Sequence, residues 1–212
     1  AARLLDADVV PLGELAERRF IDVVSDVMGR QMELDERIVV LGEDVDGLKG
    51  GTNGATKAAL AKFPDRVLGT PISENAFAGM GGGMAMDGRT RPVVEFMYAD
   101  FMWVAADQIF NQIAKARHMF GGHGTVPLVL RSKLAAGTGY GSQHSMDPAG
   151  ILTTAAGLRV VAPSNPFDYV GLMNTALRLD DPVVVLEHVD LYAGTGTGPV
   201  DDLDYLGRLA QH

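Results

Sequence analysis

The 212-residue sequence contains no cysteine, and its basic residues are few and scattered. The absence of cysteine excludes disulfides and thiolate metal sites. It fits a reducing compartment, so we expect a cytoplasmic protein, or one of the mitochondrial matrix if the source is eukaryotic. The formal net charge of −9 argues against nucleic acid as a partner, because phosphate binding needs clustered cations. No apolar run is long enough to span a membrane, so we expect no membrane association.

Several motifs that would assign a chemistry are also missing. The glycine-rich segments contain neither a Walker A phosphate loop nor a dinucleotide fingerprint. The five histidines show no zinc-type spacing of one helical turn. Asp44 and Asp46 lack the further carboxylates of an EF-hand loop, and no nucleophile elbow of the hydrolase type occurs. A nucleotide-binding α/β protein stays open as an alternative.

Short apolar runs alternate with helical patterns along most of the chain. The predicted strands are 38–41, 66–68, 92–97, 126–130, 158–162 and 182–186. The predicted helices are 15–32, 55–63, a segment beginning after Ser73, 101–120, 149–156 and 166–179. This alternation is typical of a mostly parallel sheet with helices on both faces, so we predict a doubly wound α/β fold. We expect one domain over residues 1–192, followed by a linker or tail over residues 193–212.

The stretch Gly69–Gly88 is the most informative part of the sequence about function. Ser73 is suited to cap a helix, and Glu74 then lies in the first helical turn, where a carboxylate interacts well with the helix dipole. Gly79 and Gly83 lie on one face of this helix, although each glycine costs about 1 kcal/mol relative to alanine. Such glycines indicate that another group approaches the backbone closely. Because ligands bind at the carboxyl edge of open α/β sheets, we interpret Glu74 as a site residue; the alternative is a glutamate that only stabilises the helix start.

A series of short motifs carries a family resemblance. They are Leu41-Gly42-Glu43-Asp44-Val45, Thr70-Pro71-Ile72-Ser73-Glu74, Arg91-Pro92-Val93-Val94-Glu95-Phe96-Met97, Ala99-Asp100-Phe101, Asp107-Gln108-Ile109, Gln143-His144-Ser145, Pro163-Ser164-Asn165 and Asp181-Pro182-Val183-Val184-Val185-Leu186-Glu187. In order and spacing they resemble the β subunit, with its pyrimidine-binding domain, of thiamine-diphosphate-dependent 2-oxo acid dehydrogenases. The resemblance implies an oxidoreductase that decarboxylates a 2-oxo acid and transfers the acyl group to a lipoyl group. The β subunit of an acetoin dehydrogenase and a catalytically silent assembly module are the alternatives.

The resemblance also implies roles for individual residues. Glu74 would hydrogen-bond a ring nitrogen of the aminopyrimidine of thiamine diphosphate, favouring the imino tautomer that removes the thiazolium proton. Phe101 would place its ring against the aminopyrimidine, and Ile72 would pack near the cofactor. His144, in the polar loop 133–148, would stabilise anionic intermediates or exchange protons near neutral pH.

Half of such a site is missing from this sequence. The Gly-Asp-Gly…Asn motif that holds magnesium and the diphosphate is absent; in this family it belongs to an α subunit or an α-like half of a fused chain. We therefore expect an α partner, a second β copy and a lipoyl acyltransferase as partners, and no activity from this chain alone. The family β subunit also continues into a second domain, so we expect residues 193–212 to lead to a domain absent here.

Two further points follow from the resemblance. It implies a structural potassium site formed mainly by backbone carbonyls near Leu128, Ala176, Leu177 and Asp181. Gly69 stands where the family has aspartate, and we expect this change to loosen the turn before Glu74.

Overall fold

A six-stranded parallel sheet forms the centre of the computed structural model, which describes residues 13–207. The strands are β1 (Leu15–Arg19), β2 (Ile38–Glu43), β3 (Val67–Thr70), β4 (Arg91–Phe96), β5 (Val129–Leu134), β6 (Arg159–Val161), β7 (Val183–His188) and β8 (Thr195–Pro199). The order in the large sheet is β3-β2-β4-β5-β7-β6, with every pair parallel. Strands β1 and β8 form a separate antiparallel pair.

Helices cover both faces of the large sheet. They are α1 (Phe20–Leu34), α2 (Lys57–Lys62), α3 (Glu74–Met86), α4 (Ala116–Met119), α5 (Ala149–Leu152), α6 (Pro166–Arg178) and α7 (Val189–Ala193). Three 3₁₀ helices (Pro64–Arg66, Ala99–Trp103 and Ser142–His144) and a π-helix (Asp107–Ile113) complete the structure. Within the described part of the chain, none of the helices combines the length and apolar character that a membrane span requires.

Strand residues alternate between two hydrophobic cores, which is why the strands are apolar on both sides. Val93 packs with the residues of α1 and α6 on one face, and Val94 packs with those of α3 and the π-helix on the other. The predicted doubly wound α/β fold is therefore confirmed, and each predicted strand of the large sheet has a counterpart in the structure.

Two predicted helices were wrong in part. Residues 15–19 form β1, whose alternating exposure fits a strand, because they pair with the distant β8; helix α1 begins only at Phe20. The predicted helix 101–120 is divided into the 3₁₀ helix Ala99–Trp103, the π-helix and α4. Apolar periodicity does not distinguish these forms, since all keep right-handed helical backbone and bury residues such as Ile109 and Ile113.

Part of the predicted tail packs on the domain. Beyond β8, Tyr205 is only 5% exposed, its ring stacks on Phe167 at 4.9 Å, and its hydroxyl donates to the Phe167 carbonyl. Residues 195–207 are therefore not an extended linker. The domain end near Tyr192 and a following domain stay predictions, and residues 1–12 and 208–212 lie outside the described residues.

A buried ion cluster links β4, β5 and β7. Arg131 donates to Glu187 at 2.6 Å and to Glu95 at 2.9 Å. Lys133 lies 3.1 Å from Glu95 and donates to the Thr52 hydroxyl at 2.6 Å. The four charged side chains are at most 1% exposed, so each depends on its partners for compensation of its charge. This cluster explains why β5 continues to Leu134, past the predicted end of the strand.

The glycines of α3 have different surroundings. A Cβ atom at Gly81 would collide with the Val94 side chain of β4, and one at Gly82 would lie 3.0 Å from Ile113. A Cβ at Gly79 would lie 3.0 Å from the Gln108 side chain, whereas at Gly83 it would meet no described atom within 4 Å. The buried face of α3 thus needs Gly81 and Gly82 for close packing, and Gly83 lies on an open face.

We expect Gly81→Ala to lower the free energy of unfolding by about 1–3 kcal/mol, because the added methyl group overpacks the contact with Val94. Gly83→Ala is the matched control on the same helix. It should raise the free energy of unfolding by about 0.5–1 kcal/mol, since alanine is the better helix former. Urea denaturation followed by circular dichroism measures both, and equal effects of the two substitutions would contradict this packing of α3.

Candidate functional site

Two carboxyl groups meet at the carboxyl edge of the sheet. Glu43 is the last residue of β2, and Glu74 is the first residue of α3, directly after the turn that follows β3. Glu74 is 6% exposed. Ser73 stands at the predicted cap position, although its side chain makes no capping hydrogen bond. The backbone thus delivers both acids to one place, because β2 and β3 are adjacent parallel strands.

Two buried polar atoms, one in this pair and one beside it, have no hydrogen-bond partner among the described residues. Within residues 13–207, neither Oε1 of Glu43 nor Oγ1 of Thr70 has a hydrogen-bond partner. Buried polar atoms in folded proteins are nearly always hydrogen-bonded. Two unsatisfied atoms at the ends of neighbouring strands therefore indicate a site that a polar ligand completes.

Burial raises the pKa of Glu43 to about 7, and the nearby carboxyl groups of Glu74 and Asp44 act in the same direction. The Glu43 carboxyl therefore carries a proton in a substantial fraction of molecules near neutral pH. A pair of this kind can donate a hydrogen bond or exchange a proton with a ligand nitrogen. The sequence pattern pointed to Glu74 but not to Glu43, which appeared there only as part of a family motif. The position of Glu43 at the end of a buried strand was the signal that could have indicated it.

An aromatic cluster lies at the same edge, after β4. The His144 ring meets the rings of Tyr98 and Phe101 edge to face, each at 5.3 Å, and Tyr140 meets Tyr98 at 5.9 Å. Phe101 and His144 are both partly buried. The structure therefore brings together two of the predicted site residues that are far apart in sequence.

Ile72 does not join this buried part of the site. It is 84% exposed and continues an open face of α3 that includes Ala76, Met80 and Gly83. Its contact with a cofactor stays a prediction.

The expected loosening of the turn by Gly69 stays a prediction. Gly69 lies inside β3 and pairs with Gly42 of β2. The carboxylate of Asp46 fills the space beside it, so that a Cβ atom at this position would collide with Asp46. An acidic group from the loop after β2 thus stands next to the position at which the family has aspartate.

The expected potassium site gains no support from the geometry. The Leu128 carbonyl accepts a hydrogen bond from the Val183 amide, and the Leu177 carbonyl accepts one from Arg91. Asp181 faces two arginines through its carboxylate. No cluster of three or more His, Asp or Glu side chains suited to a metal occurs between residues 13 and 207. The potassium site stays a prediction.

A cleft of about 950 Å³ opens at the opposite, amino-terminal edge of the sheet. Phe110, Arg117, Leu158 and Asp181 contribute to its walls, and none of the residues predicted to bind the cofactor or act in catalysis does. The cleft volume and the predicted site residues therefore indicate opposite edges of the sheet. We locate the candidate site by its chemistry, at the acid pair and the aromatic cluster.

Comparison with known proteins gives both a family and relatives. The family model described as "Transketolase, pyrimidine binding domain" matches residues 17–195. A solved structure described as a split-gene transketolase in an inactive beta4 tetramer superposes with a TM-score of 0.59 at 16% identity, over 85% of this chain and 52% of that chain. At this identity the likeness concerns the fold alone.

Curated relatives are more similar in sequence. The acetoin:2,6-dichlorophenolindophenol oxidoreductase subunit beta of Cupriavidus necator is 43% identical over 83% of this chain and 54% of its own length. The 2-oxoisovalerate dehydrogenase subunit beta of Bacillus subtilis is 40% identical over 86% of this chain and 56% of its own. The pyruvate dehydrogenase E1 component subunit beta of Staphylococcus aureus is 36% identical over 84% and 54%. The chain thus spans about half the length of these relatives.

We expect Glu43 to make stability depend on pH. Because its pKa rises from 4.5 to about 7 on folding, the folded chain binds this proton more tightly than the unfolded chain does. The contribution is fully present below about pH 4.5 and is lost as pH rises through about 7. As the pH rises between these two values, the free energy of unfolding of the parent chain should fall relative to that of the Glu43→Gln variant.

Urea-unfolding midpoints of both proteins across this pH range measure the effect. Glu33→Gln is the control, because Lys62 lowers the pKa of the Glu33 carboxyl and its contribution has the opposite sign. Parallel pH profiles for the parent chain and Glu43→Gln would contradict the raised pKa.

Proposed function

The chain belongs to the family of transketolase pyrimidine-binding domains, and from this premise we propose that it supplies the pyrimidine half of the thiamine diphosphate site of a 2-oxo acid dehydrogenase. The observation that carries the proposal is the pair of acids at the carboxyl edge of β2 and β3, in which Glu74 is buried and Glu43 is partly buried. The names of the relatives, which are beta subunits of pyruvate, 2-oxoisovalerate and acetoin enzymes, support the reaction class.

The residues present fit the pyrimidine ring of this cofactor. The acid pair offers a carboxyl that donates or accepts a proton at a ring nitrogen. The unsatisfied Oε1 of Glu43 and Oγ1 of Thr70 offer hydrogen bonds to polar groups of the ring. Phe101 offers a partly buried aromatic face to a flat heterocycle. When bound, thiamine diphosphate supplies the carbon nucleophile that decarboxylates a 2-oxo acid.

In this proposal the acids have separate tasks. Glu74 is the more deeply placed group at the start of α3, and it holds the hydrogen bond to the ring nitrogen. Glu43, with its pKa near 7, keeps a proton within the pair at working pH. His144, oriented by Tyr98 and Phe101, stabilises negative charge or transfers a proton at the substrate.

We propose that an α subunit, or an α-like half of a longer chain, completes the site and holds magnesium and the diphosphate. The open face of α3 supports this, since Ile72 and Met80 are exposed at 84% and 44% and Gly83 leaves room for another backbone. A second β copy and a lipoyl acyltransferase are the other proposed partners, with the cytoplasm as the location. The chain alone is then inactive.

A second candidate is the β subunit of an acetoin-cleaving enzyme. The identity of 43% to the acetoin-enzyme subunit of Cupriavidus necator favours it. Both candidates use the same pyrimidine half-site. Turnover assays of the assembled enzyme with pyruvate, branched-chain 2-oxo acids and acetoin distinguish them.

We expect Glu74→Gln to reduce turnover by the assembled enzyme by about 10²–10⁴-fold, the range typical of a lost acid–base group. Assembly should be unchanged, because glutamine has the same shape. Steady-state kinetics and size-exclusion chromatography measure the two effects. Asp107→Asn, at an exposed acid of the π-helix, is the control.

Near-normal turnover by Glu74→Gln would refute the role of this residue. A parent assembly that binds no thiamine diphosphate in equilibrium dialysis would favour the silent assembly module instead.

A further inference from the structure

Asp100 lies between Ala99 and Phe101 in the short 3₁₀ helix that follows β4. We propose that Asp100 is a positioning residue that ties the loop carrying His144 to the turn carrying Phe101. The histidine and the ring that faces the cofactor are then placed as one unit. The catalytic meaning of this unit rests on the proposed function, whereas the tie itself does not.

The tie consists of two hydrogen bonds to one carboxylate oxygen. Oδ1 of Asp100 accepts from the backbone amides of Ser145 at 3.2 Å and Met146 at 3.1 Å. These are the two residues that directly follow His144. Hydrogen bonds to an ionised acceptor are stronger than neutral ones, so a single side chain fixes the backbone next to the histidine.

The loop has few other connections to the domain. Gly137, Gly139 and Gly141 have positive φ angles, and the Ser145 hydroxyl and His144 amide donate within the loop, to the Gly141 carbonyl. Within the described chain, residues 139–146 are bonded to the remainder by the two amides that donate to Asp100 and by Trp103 Nε1, which donates to the Met146 sulfur. Nearer the start of the loop, the His188 ring bonds the Ala136 carbonyl at 3.0 Å. Asp100 and Trp103 both belong to the 3₁₀ helix Ala99–Trp103. This short helix therefore supports the part of the loop that carries His144.

The same helix carries the ring proposed to meet the cofactor. The Phe101 ring packs edge to face on the His144 ring, with 5.3 Å between the ring centroids. Tyr98, which precedes the short helix, packs on the His144 ring in the same way and at the same distance. A heterocycle seated on Phe101 would restrain this helix and, through Asp100, the loop. Misplacing a catalytic group by about 1 Å can cost about 10²-fold in rate, so the tie matters for His144.

The second oxygen of Asp100 points to a constraint beyond loop stability. Oδ2 is buried and has no hydrogen-bond partner among the described residues. An unsatisfied buried carboxylate oxygen is costly, and a loop anchor alone would be served by a neutral acceptor. This cost indicates that Asp100 does more than hold the loop.

The test compares Asp100→Ala, Asp100→Asn and the control Asp107→Ala in the enzyme assembled with its α partner. We measure amide hydrogen exchange of residues 139–146 with and without thiamine diphosphate, and kcat, KM and the pH profile of kcat. Asp100→Ala should accelerate exchange in this segment at least about tenfold, because two charge-assisted hydrogen bonds are lost. It should lower kcat at least about tenfold with a smaller change in KM. It should also shift the limb of the pH profile of kcat that depends on His144, which is identified as the limb that is lost in the His144→Gln variant.

Asp100→Asn keeps a carbonyl acceptor of the same shape. It should restore most of the protection from exchange, whereas Asp107→Ala should match the parent. If Asp100→Ala does not fold, Asp100→Asn still decides: the neutral acceptor should accelerate exchange by about threefold relative to the Asp107→Asn control.

Unchanged exchange in the Asp100 variants would overturn the proposal, as would faster exchange with an unchanged kcat and pH profile. An assembled parent enzyme that binds no thiamine diphosphate would instead refute the proposed function. The exchange data would then still show whether Asp100 holds the loop, so the two failures are distinguishable.

Discussion

The buried carboxyl group of Glu74 lies next to the partly buried carboxyl group of Glu43, and this contact between two acids governs the chemistry of the sheet edge. Adjacent parallel strands end at one level, with Glu43 of β2 opposite Thr70 of β3, and a short turn then leads to Glu74. Close packing of α3 on β4 through Gly81 holds the helix start against the sheet. The fold thus maintains a like-charge contact that is unfavourable until a proton or a ligand satisfies it.

The buried ion cluster on the other face of the sheet differs from the contact between Glu43 and Glu74. There, Arg131 and Lys133 are matched by Glu95 and Glu187, and the charges compensate one another. Glu43 and Glu74, by contrast, form no ion pair with any cation in the described part of the chain. Two acids without a cation at a sheet edge, in a protein that pairs its other buried charges, support the choice of this edge as the candidate site.

Local patterns predicted the fold well and the site in part. Apolar runs located the strands of the large sheet, and a carboxylate in the first turn of a glycine-rich helix identified Glu74. The meeting of Phe101 and His144 followed from the family resemblance rather than from spacing. Strand β1 was missed because its partner β8 is distant in sequence. The contact of Glu43 with Glu74 and the contact of Asp100 with the loop arise from strand register and tertiary packing, so the local pattern showed at most that Glu43 ends a buried strand.

The central claim is that the acid pair receives the pyrimidine of thiamine diphosphate in a site that a partner completes. A crystal structure of the assembled enzyme with the cofactor bound tests this most directly. We expect a Glu74 carboxyl oxygen about 2.6–3.2 Å from a pyrimidine nitrogen, with the Phe101 ring against the heterocycle. A pyrimidine bound away from this edge, or a Glu74 carboxyl covered by partner side chains with no cofactor between them, would contradict it.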